Sequence, residues 1–221
     1  MGAPRLKLPT KILAVTLLLA GLAIGGVAVY RNANQTPESA VRANPAPTTT
    51  TTKSDPTSHD TFDVEFTKKL ILYHQLAAQL DTYAVNNALK PEVRKFAAEN
   101  STYNTNQANI YASILTSWGV SYTSIEDLPK VPGGSCAGYP TFPGMLPHAD
   151  VNAFLKVSPE EIDKQFLALL IEHHSGINKI VKAEGSFINY GELITMRNTF
   201  YKVNDEEMNQ MVQMQKQLGY S

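Results

Sequence analysis

The chain has 221 residues, 43% hydrophobic and 18% charged, with a formal net charge of -1; that supports one modest core and not several. Six of the 19 basic residues and two of the 20 acidic ones precede residue 58, so the remainder carries 13 basic and 18 acidic residues, a net of -5. An acidic balance with no basic face excludes a nucleic-acid binder. The single cysteine, Cys136, excludes an intramolecular disulfide.

Residues 1–11 carry Arg5, Lys7 and Lys11 and are expected in the cytoplasm. Residues 12–30, ILAVTLLLAGLAIGGVAVY, hold no charge. A run near the ~20 residues needed to span a bilayer predicts a single-pass membrane anchor. The basic flank stays cytoplasmic and places the rest outside. A cleaved signal peptide, whose apolar region is about 7–15 residues, is the alternative, and both export the domain. Residues 31–57, rich in Ala, Pro and Thr, have too few large apolar groups to offset the entropy of ordering, and they read as a disordered tether.

From residue 58 the chain overlays itself at an offset of 100. Asp63 falls on Asp163, Phe66 on Phe166, Leu70 on Leu170, His74 on His174, Asn104 on Asn204 and Gly119 on Gly219. Two copies are too few for a solenoid; they predict one domain, 58–219, built from hairpins 58–119 and 158–219 with a crossover at 120–157. In the first hairpin Ser58 starts one helix and Pro91 lies near the start of the next, which ends at Trp118 and Gly119. The Pro- and Gly-rich crossover has room for a short helix near 149–155. In the second hairpin Ser158 is the expected N-cap, Pro159 the first-turn proline and Glu161 the partner in a capping box. Asn189 to Glu192 caps the last helix, which runs to Gly219. Two antiparallel hairpins and a long crossover describe an all-α, ferritin-like four-helix bundle.

Polar residues recur on the apolar stripes. At 100° per residue Asp163, Phe166, Leu170, His174, Ile177 and Val181 share one arc, as do Asp63, Phe66, Leu70, His74, Ala77 and Asp81. Gln107 and Glu207 occupy matching stripes on the second helix of each hairpin. A buried carboxylate needs a partner. Asp and His stand about 16 Å apart along each helix. If the first helices of the hairpins run antiparallel, Asp63 approaches His174 and Asp163 approaches His74, locking the register. His173 lies about 80° from the stripe centre and is expected on the flank.

Imidazole, carboxylate and thioether are transition-metal ligands. Met208, Met211 and Met214 repeat at three-residue spacing, which suits copper(I), though methionine there also fills cores. Glu-x-x-His and His-Glu-x-x-His do not occur, which disfavours a di-iron carboxylate enzyme and a zinc protease of that type. There is no Gly-x-Ser-x-Gly motif and no Walker loop. His59 and His148 fall in cap or loop positions.

The stretch IDKQFLALLIEHHSGINKI resembles the F-D-x-x-F…M-I-x-H-H-x-G-A-I motif of the domain-of-unknown-function 305 (DUF305) family, a ferritin-like group of exported bacterial proteins. FDVEFTKKLILYHQLAAQL is similar to its M-I-P-H-H-Q-Q-A, and PGM at 143–145 to its Gly-Met. The resemblance covers about residues 58–219. It implies a four-helix fold and, for some members, copper or other metal binding through His and Met. Carried onto this chain, the candidate ligands are His74, His173, His174, Met145, Glu207, Met208 and Met211. Tyr73 stands where the first histidine of a pair is expected, and Leu70, Leu80, Leu170 and Ile180 where the family often has Met.

The expectation is therefore a membrane-tethered extracytoplasmic module without catalytic activity that handles a transition metal, copper above others. The alternative is a structural or protein-interaction domain at the cell surface, in which buried Asp63, Asp163 and Gln107 only specify the fold. Membrane contact is expected through residues 12–30; a protein partner and self-association are left open.

Overall fold

The computed structural model describes residues 58–128 and 140–220; the expected anchor at 12–30, the tether at 31–57 and Cys136 lie outside the described residues. Five helices follow in order: α1 (Thr61–Asn87), α2 (Pro91–Ser117), α3 (His148–Phe154), α4 (Pro159–Glu184) and α5 (Gly191–Leu218), with 3-10 turns at Ile125–Asp127 and Gly185–Phe187. Among the described residues there is no strand, so the domain is all-α. None of these helices is long and apolar enough to cross a membrane.

The first helix packs on the second, α4 packs on α5, and α1 packs on α4. Lys69, near the start of α1, pairs with Glu184 at the end of α4 at 2.7 Å. Leu89, just beyond α1, meets Asp163 at the start of α4. The two first helices are therefore antiparallel.

The helix ends show where local sequence decides and where the other hairpin does. Asp60, not Ser58, starts α1: its Oδ1 accepts the N–H groups of Phe62 and Asp63, and Asp63 Oδ2 accepts the N–H of Asp60. This is a reciprocal capping box. At α4 the Ser158 side chain makes no cap bond, so the expected box with Glu161 does not form; Pro159 at the first position has no N–H to satisfy. Asn189 does not cap α5 either. Its own N–H and that of Tyr190 donate to Asp63 Oδ1 at 3.0 and 3.2 Å. Asp163 does the same at the start of α2, accepting from Leu89 and Lys90 at 3.2 Å. The carboxylates are related by the offset of 100, and so are their partners.

This corrects the expected Asp63–His174 and Asp163–His74 pairs. The helices register with Tyr73 opposite His173, which sets Asp63 level with the end of α4 and Asp163 level with the end of α1. There the free N–H groups and positive dipole end of a helix start provide the partner a carboxylate needs. Gly119 and Gly219 close α2 and α5 with φ of 69° and 72°, the left-handed conformation that glycine adopts without strain.

The apolar core is divided. One cluster joins Leu76, Leu80, Phe96, Phe166, Leu170, Met211 and Met214 with Met145, Leu146 and Phe154 of the crossover. The other joins Phe66, Leu70, Tyr111, Leu115, Ile177, Ile180 and Phe200. On each long helix the boundary between the clusters is polar: His74 on α1; Asn100, Asn104 and Gln107 on α2; His173 and His174 on α4; Asn204 on α5. The domain thus has a buried polar waist.

The crossover is pinned to that waist. A Cβ on Gly176 of α4 would stand 2.1 Å from the Gly144 nitrogen, and Gly144 has φ +95°. Only glycine at both positions allows this backbone approach.

Candidate functional site

The waist is the only dense group of buried titratable and amide side chains among the described residues, and it contains every candidate histidine ligand. Tyr73 and His173 meet at its centre, rings stacked with centroids 3.9 Å apart and 3° between planes. His173 Nε2 lies 3.2 Å from the Tyr73 carbonyl oxygen, and Nδ1 contacts the Gly144 carbonyl. The ring is fully buried, not on a flank as expected, because the crossover covers that side of α4. Burial, with the neighbouring His174, holds His173 well below the usual histidine value. A neutral imidazole has one N–H, so one of the two carbonyls faces a bare nitrogen.

His174 has both nitrogens engaged: Nδ1 with the Leu170 carbonyl at 2.8 Å and Nε2 with Glu207 Oε2 at 2.9 Å. Nδ1 must donate to the carbonyl. Nε2 faces the Glu207 carboxylate across α4 and α5. Asn204 closes this half. Its Nδ2 donates to the His174 carbonyl at 3.0 Å and Asn178 Oδ1 at 2.8 Å, and its Oδ1 accepts the Tyr73 hydroxyl at 2.8 Å.

The first half is wired differently. His74 Nδ1 lies 2.8 Å from Asn104 Oδ1, and Asn104 Nδ2 donates to Asp81 Oδ2 at 3.0 Å. The Asp81 bond orients the amide, the amide oxygen makes His74 Nδ1 the donor, and Nε2 is left as a lone pair. That atom, Asp81 Oδ1, Asn100 Nδ2 and the Tyr111 hydroxyl are buried without a partner. Burial pushes His74 down to about 4 and pushes Asp81 well above the usual carboxylate value. His74 is therefore neutral near pH 7. Tyr111 stacks on His74 with centroids 5.6 Å apart.

The remaining candidates lie outside this wiring. Met145 and Met211 are buried in the first apolar cluster, and Met208 packs against it; Met208 Sδ accepts a weak bond from Asn178 at 3.7 Å. Gln107 is buried at the waist. Sequence reasoning missed Asn178 and the bridging duty of Asn104 and Asn204. The signal was present, since Asn104 and Asn204 are identical at the repeat offset.

A metal would need imidazole nitrogens free to turn toward one point. His174 is engaged through both nitrogens and His173 is pinned between two carbonyls, whereas the bare Nε2 of His74 faces no protein partner. Among the described residues no three His, Cys, Asp or Glu side chains are placed to hold a metal ion.

Fold and site together define an all-helical domain built from an internal repeat, with a buried histidine-, asparagine- and acid-lined waist. The chain belongs to the family described as Domain of unknown function (DUF305), which matches residues 63–215. It is similar in structure to a candidate secreted DUF305 protein of Streptomyces coelicolor, with TM-score 0.58 and 20% identity over 72% of this chain and 94% of that one. A DUF305 fragment from Deinococcus radiodurans is similar at TM-score 0.58 and 19% identity over 72% and 98%. No curated protein matches the chain by sequence.

Proposed function

We propose that the chain is a membrane-tethered, extracytoplasmic, non-catalytic helical module of the four-helix-bundle type, whose polar waist specifies the fold. The observation that carries this is the closed wiring of the second half of the waist: both His174 nitrogens, the Asn204 amide and the Tyr73 hydroxyl are hydrogen-bonded to protein groups. Buried polar groups satisfied by one another set register, because any slip of α1 against α4 leaves several of them unpaired. The enclosed waist offers no nucleophile paired with a base and open to substrate. Export is supported by the uncharged stretch 12–30 behind a basic flank and by the description of the Streptomyces relative as a candidate secreted protein.

A second reading, an ion held at the first half of the waist, draws on the bare His74 Nε2 and Asp81 Oδ1. One experiment separates the two. The full chain, stripped with chelator, is titrated with Cu(I), Cu(II) and Zn(II) by calorimetry and thermal melting. The structural reading expects no binding heat and an unchanged Tm. A Tm rise that His74→Ala or His174→Ala abolishes would replace it with the metal reading.

A further inference from the structure

One end of the domain carries an aromatic face whose inner edge, Trp118 and Tyr190, packs on the second apolar cluster. His59 stacks on Trp118 with centroids 4.2 Å apart and 8° between planes. Trp118 meets Tyr190 edge-on at 5.0 Å, and Phe62 meets Phe187 at 5.3 Å. Phe187, in the turn between α4 and α5, is 60% exposed, the most exposed large apolar side chain among the described residues. Trp118, Tyr190 and Phe62 are half-buried.

The internal repeat supplies a control. Shifted by 100 residues, His59, Phe62, Trp118, Phe187 and Tyr190 correspond to Pro159, Ile162, Leu218, Asn87 and Lys90. The opposite end performs the same structural duty, closing two hairpins under a carboxylate-capped helix start, with no aromatic at any of these positions. The opposite end has other aromatics, Tyr83, Phe154 and Tyr220, but these pack on the first apolar cluster. The aromatic face lies at the end where the chain enters the domain, at His59, downstream of the uncharged stretch 12–30.

We propose that this face docks on the lipid headgroup region of the membrane that holds the chain. The inference rests on the tethered reading above. Trp and Tyr favour the bilayer interface, where an apolar ring and a polar edge are both satisfied, and an exposed Phe at a turn tip gains by burial there. Asp60 at this face is an exposed carboxylate that its hydrogen bonds to the Asp63 N–H and Asn189 keep ionised, and Glu192 accepts from the Tyr190 hydroxyl, so the face fits zwitterionic headgroups better than anionic ones. A tether keeps the face close to the bilayer, so a weak interfacial affinity suffices.

Trp118 is the only tryptophan and reports on this face directly. The full chain is reconstituted into phosphatidylcholine liposomes with and without lipid brominated in the upper acyl chain. Alkaline extraction establishes whether the chain is held. The expected result is a blue-shifted Trp118 emission that brominated lipid quenches, with both effects reduced in Phe187→Asp at unchanged helicity. A chain retained by the bilayer whose emission bromine does not quench overturns the docking and leaves the tether standing. Quenching that Phe187→Asp leaves untouched also overturns it. A blue shift without quenching that disappears on dilution assigns the face to a second copy instead. Release of the chain on extraction removes the tether and the docking together.

Discussion

Tyr73 and His173 occupy the same position in the two halves of the chain, and they stack face to face at 3.9 Å with 3° between planes. The local pseudo-twofold axis therefore passes between an aromatic phenol and an imidazole. A histidine at 73 would make the seam symmetric and place four histidines at the waist. Tyrosine instead extends a hydroxyl to Asn204 Oδ1 at 2.8 Å, binding α1 to α5 across the domain.

Tyr73→Phe keeps the stack and deletes the hydroxyl, leaving Asn204 Oδ1 buried without its donor. An unsatisfied buried acceptor costs about 1–3 kcal/mol. Urea unfolding should show that loss with an unchanged m-value. Wild-type stability in the variant would mean that the Tyr73–Asn204 bond contributes nothing net.

The two cross-hairpin caps should behave as equivalents. Asp63→Ala and Asp163→Ala each remove the acceptor for a helix start in the other hairpin, at a cost of about 1–2 kcal/mol. Asp63 should lie at the upper end because it also completes the α1 capping box. The sites are at opposite ends of the domain, so the double variant should lose the sum. Strong non-additivity in denaturant melts would contradict independent caps.

Gly176→Ala tests how the crossover is held. The new Cβ would stand 2.1 Å from the Gly144 nitrogen and 2.4 Å from its Cα, so the crossover must move off α4. That breaks the His173–Gly144 contact and uncovers a buried ring, a strain of about 1–3 kcal/mol or more. Limited proteolysis should find new cleavage near residues 140–147 in the variant. An unchanged digestion pattern would show that the crossover accommodates the methyl in place.

Much of this was legible from the repeat. The offset of 100 related Asp63, His74 and Asn104 to Asp163, His174 and Asn204, and the 3.6-residue period set the faces of the four long helices. The pairing of those faces was not legible. Asp63 and His174 share a stripe by periodicity, but periodicity carries no information on the axial slide between antiparallel helices. That slide is fixed by the Tyr73–His173 contact and by Gly144 against Gly176, both long-range. The same limit explains Asn189: its sequence reads as a cap, yet Asp63 from the other hairpin supplies the stronger, charged acceptor. His173 read as a flank residue because the crossover that covers it has no periodic signal.

The waist makes stability depend on pH with two opposite signs. Burial holds His74 down to about 4 and His173 well below 6.5. The unfolded chain takes up protons at both positions near pH 6.5, and the folded chain does not. The contribution of these two histidines is therefore full above about pH 6.5 and falls as the pH drops toward 4. For His74 the interval from 6.5 to about 4 corresponds to about 3 kcal/mol. Asp81 acts the other way. Burial raises it, so its contribution is full below about 3.8 and is lost as the pH rises and the unfolded chain ionises. Two variants separate these effects. His74→Gln removes one proton from the acid limb, so its stability should fall less steeply between pH 6.5 and 4 than that of the wild type. Asp81→Asn keeps an oxygen for Asn104 Nδ2 and removes a group whose ionisation burial opposes, so it should be more stable than the wild type at pH 7, with the gain shrinking toward pH 4. Urea midpoints at pH 4, 5, 6 and 7 measure both. An Asp81→Asn variant less stable than the wild type at pH 7 would show that Asp81 is ionised in the folded chain and held by a partner stronger than Asn104.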